Sequence, residues 1–241
     1  MEMQGDIVRA IVSRYGATSI CAGQFFVSWN SVVTLAYIGF SRTLLALKRG
    51  IEEGIPGLTP ENPGSRWPKT TLGCLRDNVE LRDNQVHKLR ELCNAHNENL
   101  QSISVVDRSM DIKELTCVTF HCRTLEKRLS SESILLGGKM SADDSPPESH
   151  LEDVGDTMAQ FDEEKHADYY PKMAHKGRTI DAYYRVPHVE STLIYDLAPA
   201  AMLYNAIVDF RLAVDEALPS CYTWFDPTSW HMTVRALVAK S

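Results

Sequence analysis

Long apolar runs, paired metal-ligand spacings and any excess of positive charge are all missing from this sequence. No apolar stretch approaches the ~20 residues that a membrane-spanning helix requires, so no membrane role is expected. The six cysteines, Cys21, Cys74, Cys93, Cys117, Cys122 and Cys221, stand apart, without the paired spacing of a zinc site. The opening residues MEMQGDIVRA carry acids at Glu2 and Asp6 and no basic-then-apolar leader. The cysteines therefore read as buried thiols rather than disulfides, and the expected location is the cytoplasm. No metal and no cofactor are expected.

Positive charge is outweighed, but locally. The chain holds 25 Lys and Arg against 32 Asp and Glu, a net charge of −7. Between Lys139 and Lys165 there is no basic residue, and nine acids fall in that interval. Without those nine, 23 acidic residues remain against 25 basic ones. A broad nucleic-acid-binding surface is therefore not expected, while a small basic pocket stays open.

What is present is ordinary in amount and patterned in order. Hydrophobic residues make up 44% and charged residues 24% of 241 residues, enough for one domain or one duplicated domain with a substantial core. The most informative stretch is Trp230-His231-Met232-Thr233-Val234-Arg235-Ala236-Leu237, whose alternation predicts a strand. On a regular strand His231, Thr233 and Arg235 share one face, and Met232, Val234 and Ala236 the other. A second stretch, Trp67 to Leu75, echoes it: aligning Thr71 with Thr233 sets Lys69 against His231. Each is preceded by an apolar strand-like run and a helical one, Ser31–Phe40 before the first copy and Ser191–Leu197 before the second. Tyr37 lies 32 positions before Lys69 and Tyr195 lies 36 before His231, so the order strand–helix–loop–strand occurs twice.

Elsewhere the pattern predicts helices over residues 5–20, 42–53, 84–100 and 199–217, and strands at Ser102–Val106 and Glu114–Phe120. Residues 127–185 read as an irregular, acidic surface insertion. Tyr169, Tyr170, Tyr183 and Tyr184 flank there a basic patch at Lys172, Lys176, Arg178 and Arg185, a pattern that either holds nucleotide bases or packs onto the domain. His87 and His96 read as ordinary surface or boundary histidines, and His121 and Cys122, with no partner Cys or His at a ligand spacing, read as structural.

The doubled His-x-Thr frame resembles the two-histidine (2H) phosphodiesterase superfamily, which includes cyclic nucleotide phosphodiesterases and RNA-ligase-like 2′,3′-cyclic-phosphate enzymes. The resemblance runs from about Ser31 to Val238 outside the acidic insertion. His231-Met232-Thr233-Val234 fits the motif; Lys69-Thr70-Thr71-Leu72 has lysine where the family has its first histidine. The fold so implied is α/β (α+β), duplicated and two-lobed, with antiparallel sheets around a central cleft. Lobe one would cover about 25–126, the insertion 127–185 and lobe two 186–241. The implied chemistry is metal-independent: an acid and a base on opposite sides of phosphorus, with hydroxyls on its oxygens. His231 and Lys69 would be the catalytic pair. Thr71, Thr233 and Arg235 would hold the phosphate, and Tyr37, Trp67 and Trp230 would either stack on a base or pack. The ligand would be a nucleotide or RNA-end phosphate, or another small anion, and the chain a monomer. An ordinary lysine, with a pKa near ~10.4, is a poor base at neutral pH. Lys69 therefore leaves three alternatives open: an altered phosphodiesterase, an anion-binding protein without hydrolysis, or a protein-interaction module that works through its acidic insertion.

Overall fold

The computed structural model describes residues 2–28, 31–61, 66–77, 79–159, 183–184 and 189–237. The elements begin with α1 (Glu2–Val12), β1 (Thr18–Ser28), β2 (Val32–Tyr37), α2 (Arg42–Gly54) and β3 (Lys69–Leu75). Then come α3 (Asp83–Ser102), α4 (Val105–Arg108), β4 (Ser109–Ile112), β5 (Glu114–Phe120) and β6 (Arg128–Leu135). The last are α5 (Glu148–Ala159), β7 (Glu190–Asp196), α6 (Ala201–Ala217), β8 (Tyr222–Trp224) and β9 (His231–Ala236). The strands form two antiparallel sheets, ordered β4-β1-β2-β3-β8 and β6-β5-β7-β9, and the fold is α+β. No described helix is long and apolar enough to cross a membrane.

One apolar core joins the two sheets. Phe25, Leu35 and Leu72 from the first sheet and Leu115, Leu193, Met232 and Val234 from the second belong to it, with the inner faces of the helices. Ser41 caps α2 by accepting from the Leu44 amide at 3.1 Å, and Leu44, Leu47 and Ile51 turn inward. Phe210 of α6 stacks on Phe25 of β1 at 4.3 Å, which ties α6 to the first sheet.

The strands β2–β3 and β7–β9 pair with the same irregular register. Ala36 faces Lys69 and Thr34 faces Thr71, after which the pairing slips to Val33 against Gly73. Asp196 faces His231 and Ile194 faces Thr233, after which it slips to Leu193 against Arg235. Backbone bonds just outside match as well: Tyr37 N–H donates to Pro68 O at 3.1 Å, and Leu197 N–H to Trp230 O at 2.9 Å. The register therefore aligns Lys69 with His231 and Thr71 with Thr233. It aligns Ala36, not Tyr37, with the end of β7, so the tyrosine-to-tyrosine spacing read from sequence is two residues out.

Other expectations change. Ser102–Val106 is not a strand: α3 runs to Ser102, and Ser104 caps the short α4 by accepting from Asp107 N. Val105 and Val106 are 60% and 82% exposed, so their β-branched pair has no sheet to enter. The strand lies just beyond, in β4, and β1 was not foreseen. β5 pairs with β7 on one side and with β6 on the other, so the chain enters the second sheet at β5 and returns to the first in β8. Within the region expected to be irregular, Arg128–Leu135 is an edge strand and Glu148–Ala159 a helix.

Candidate functional site

Each sheet has a second face, turned away from the shared core. On the first sheet it carries Phe26, Ala36 and Trp67, a small apolar cluster beside Lys69. On the second it carries Val118, Phe120 and Ile194, with His231 and Thr233 alongside. Lys69, Thr71, His231 and Thr233 are all partly exposed, while Thr70 and Met232 between them are buried. The alternation places the expected acid/base and hydroxyl residues on the outward side of both strands.

β3 and β9 meet. Thr70 Oγ1 donates to the carbonyl oxygen of His231 at 3.0 Å, and Tyr37 Oη lies 2.7 Å from the same hydroxyl. The hydroxyl proton of Thr70 is committed to the carbonyl, so Tyr37 is the donor in the second bond. Tyr37 is 1% exposed, and burial pushes its phenol strongly upward. It is a strut beneath the two strands and cannot stack on a ligand.

His231 is oriented from behind. Its Nδ1 lies 2.8 Å from the carbonyl oxygen of Ser229, which only accepts, so Nδ1 carries the proton and Nε2 the lone pair. The carbonyl is aimed by a 3₁₀ turn, Pro227–Ser229, capped by Asp226, whose carboxylate accepts from Thr228 N at 2.8 Å and Thr228 Oγ1 at 2.7 Å. The Asp-Pro-Thr-Ser string is a legible capping signal that the reading of the sequence left unused. Burial lowers the imidazole below its ordinary value, with Arg128 adding to this and the Ser229 bond and Asp196 opposing it. His231 is thus set up as a neutral ring with its proton on Nδ1 and its lone pair on Nε2.

Beside it lies a group that sequence spacing had no means of revealing. Asp196, register partner of His231, takes a two-pronged pair from Arg128, with Nη2 to Oδ1 at 2.5 Å and Nη1 to Oδ2 at 3.2 Å. It also accepts from Thr116 Oγ1 at 2.9 Å. Burial alone would raise this carboxyl; the Arg128 and Thr116 hydrogen bonds and the Arg128 charge outweigh it and hold the acid below the usual range. Thr116 and Arg128 come from the consecutive strands β5 and β6, and Asp196 from β7, 68 positions beyond Arg128.

Besides Tyr37, two more expected ligand residues are elsewhere. The register slip at Val234 turns Arg235 to the core side, where it is 2% exposed. Its Nη2 donates to Thr59 O at 2.7 Å and its Nη1 to Ala236 O at 3.0 Å. Arg235 therefore props the loop that leads into β3 instead of sharing the outward face with His231. Trp230 is 4% exposed and packs against Tyr204 of α6 at 5.8 Å, so it belongs to the core. Lys69 holds its ammonium 4.2 Å from the ring centre of Trp67, itself 2% exposed and edge-on to Phe26. The stretch 169–178 and Arg185 lie outside the described residues; Tyr183 and Tyr184 pack on Phe225. Among the described residues no three His, Cys, Asp or Glu side chains gather as a metal site. Compared with known family models, curated proteins and solved structures, the chain finds no match.

Proposed function

We propose that this protein is a 2H-type phosphodiesterase-like protein, a duplicated fold acting on a cyclic phosphate or an RNA-end phosphodiester between β3 and β9. The observation that carries this reading is the shared register. Lys69 and Thr71 hold the same positions against β2 that His231 and Thr233 hold against β7, down to the slip that follows each threonine. Chance alternation in two unrelated strands gives no reason for a matched irregularity.

In this reading Nε2 of His231 takes a proton from water or a hydroxyl as its oxygen attacks phosphorus. Lys69, on the equivalent strand, neutralises the phosphoryl charge and protonates the departing oxygen. The hydroxyls of Thr71 and Thr233 donate to the remaining phosphoryl oxygens. The Ser229 carbonyl keeps the imidazole in the required tautomer throughout. Arg235 has no part, since its guanidinium is committed to carbonyls behind the strand.

A second reading, anion binding without hydrolysis, draws on Lys69 itself: an ammonium seated over Trp67 binds an anion whether or not it can pass on a proton. The two readings separate in one assay. The protein and His231→Ala are incubated with 2′,3′-cyclic nucleotides and short RNAs ending in cyclic phosphate, and binding of the same compounds is followed by calorimetry. Turnover lost in the variant supports the enzyme. Binding without turnover supports the second reading. Neither binding nor turnover removes both for these ligands, and returns weight to an interaction module built on the acidic segment.

A further inference from the structure

The acidic segment between β6 and β7 does not stand clear of the candidate site. α5 lies on the outward face of the first sheet, where Val154, 4% exposed, joins Ala36 and Trp67, and Met158 packs beside them. Gln24 of β1 reaches the sulfur of Met158 at 3.6 Å. Trp67 is the ring on which Lys69 rests, and Ala36 is the register partner of Lys69. The chain ahead of α5 is fastened too: Asp144 accepts from the Thr43 amide at 2.8 Å, and Pro146, His150 and Leu151 crowd Gly39.

The fastening has one weak point. His150 is 7% exposed, stacks on Phe40 at 5.7 Å, and its Nε2 is buried without a hydrogen-bond partner among the described residues. The same Phe40 ring carries the ammonium of Lys48 at 4.1 Å. The charged groups around His150 are Lys48 from α2, with Glu61 and Arg235 behind it, and Asp153 from α5 itself; the Ile38–Ser41 loop brings none.

Resting on the reading of the cleft above, we infer that residues 144–158 are a built-in cover over its Lys69 side, latched by uncharged His150 and released when that ring takes a proton. Protonation would set a second cation on the Phe40–Lys48 pair and leave a charged nitrogen buried with no acceptor. Burial lowers this imidazole, Lys48 adds to that, and Asp153 opposes it. The closed contact is therefore complete above the ordinary histidine range and is lost as pH falls through it. Each unit separating the covered ring from the exposed one favours release about tenfold.

The test reads Trp67 directly. Acrylamide quenching of its emission is taken as the difference between each protein and its Trp67→Phe counterpart, from pH 8 down to 5.5, with far-UV circular dichroism confirming the fold. Trp67 should be shielded at pH 8 and become accessible below pH ~6.5. His150→Phe keeps the stacking without the charge and should stay shielded throughout. Val154→Asp should be accessible already at pH 8. The inference fails if His150→Phe follows the native protein, or if Trp67 responds to neither pH nor Val154→Asp. No nucleotide enters the measurement, so its outcome is independent of whether the cyclic-phosphate assay finds hydrolysis.

Discussion

Thr70 donates its hydroxyl proton to the backbone carbonyl of His231 at 3.0 Å, and this bond ties the first sheet to the second directly under the candidate site. Tyr37 completes the chain from below at 2.7 Å. Three strands thereby share one buried hydroxyl. Thr70→Val keeps the shape and leaves both the His231 carbonyl and the Tyr37 phenol without that partner. Urea denaturation should show a loss of about 2–3 kcal/mol. Tyr37→Phe, which leaves the Thr70 bond intact, should cost about 1 kcal/mol. A Thr70→Val protein within about 0.5 kcal/mol of the native one would deny the bond its role in joining the sheets.

The slip at Val234 sets a second expectation. Arg235→Met removes two bonds to carbonyls, those of Thr59 and Ala236, and disturbs the loop behind the strand. It should lower stability by about 1–3 kcal/mol while leaving the affinity for a cyclic nucleotide within about twofold. Gly73 holds the equivalent register position in the first sheet, and a Cβ there would come within 2.9 Å of the Thr223 carbonyl and of the Trp224 ring. Gly73→Ala should therefore also lower the urea midpoint. Lys69→Met should do the reverse of Arg235→Met, weakening the ligand with little change in the midpoint. Were Arg235→Met to abolish binding in a folded protein, the assignment of Arg235 to the frame would be overturned.

The His231 ring gives a titration with a definite sign. Burial depresses its pKa, and Asp196 raises it against that. NMR of the ring protons should find a midpoint below the ordinary ~6.5. Asp196→Asn removes the opposing charge and should move it lower still. Because the folded pKa is depressed, the ring's contribution to stability is whole above pH ~6.5 and is lost as pH falls through that range. A midpoint that rises in Asp196→Asn would mean that Arg128 and Asp196 set the field differently from the paired geometry.

How far the sequence disclosed this site depends on which force set each part. Alternation marked β3 and β9 because each has one face in the core and one outside, and helical periodicity marked α2, α3 and α6 for the same reason. The register slips were hidden, since a bulge adds a residue without changing composition; that is why Arg235 looked outward on paper. β6 was hidden because it is an edge strand of Ser130, Ser131, Glu132 and Ser133, with Ile134 its buried residue. α5 was hidden because His150 and Val154 are its buried residues, too thin a stripe to stand out among acids. The Arg128–Asp196–Thr116 group depends on three strands meeting, and no local pattern encodes that.

The sharpest expectation concerns the residue that departs from the family pattern. If Lys69 acts as the acid opposite His231, its drawback lies in its chemical type: a lysine ammonium, with a reference pKa of ~10.4, gives up its proton less readily at neutral pH than an imidazolium. An imidazole at the same register position would be better matched, since a group whose pKa lies near the operating pH is the more effective acid. Lys69→His should then raise turnover of 2′,3′-cyclic nucleotides at pH 7, and His231→Ala should lower it by about 10²–10⁴-fold in either background. The gain should reside in kcat, with KM unchanged or higher, because a full positive charge over Trp67 is exchanged for a partial one. A fall in kcat in Lys69→His, with the fold intact by circular dichroism, would mean that the permanent charge is what the reaction uses. Lys69 would then be an electrostatic anchor for the transition state, and its proton would have no part in the chemistry.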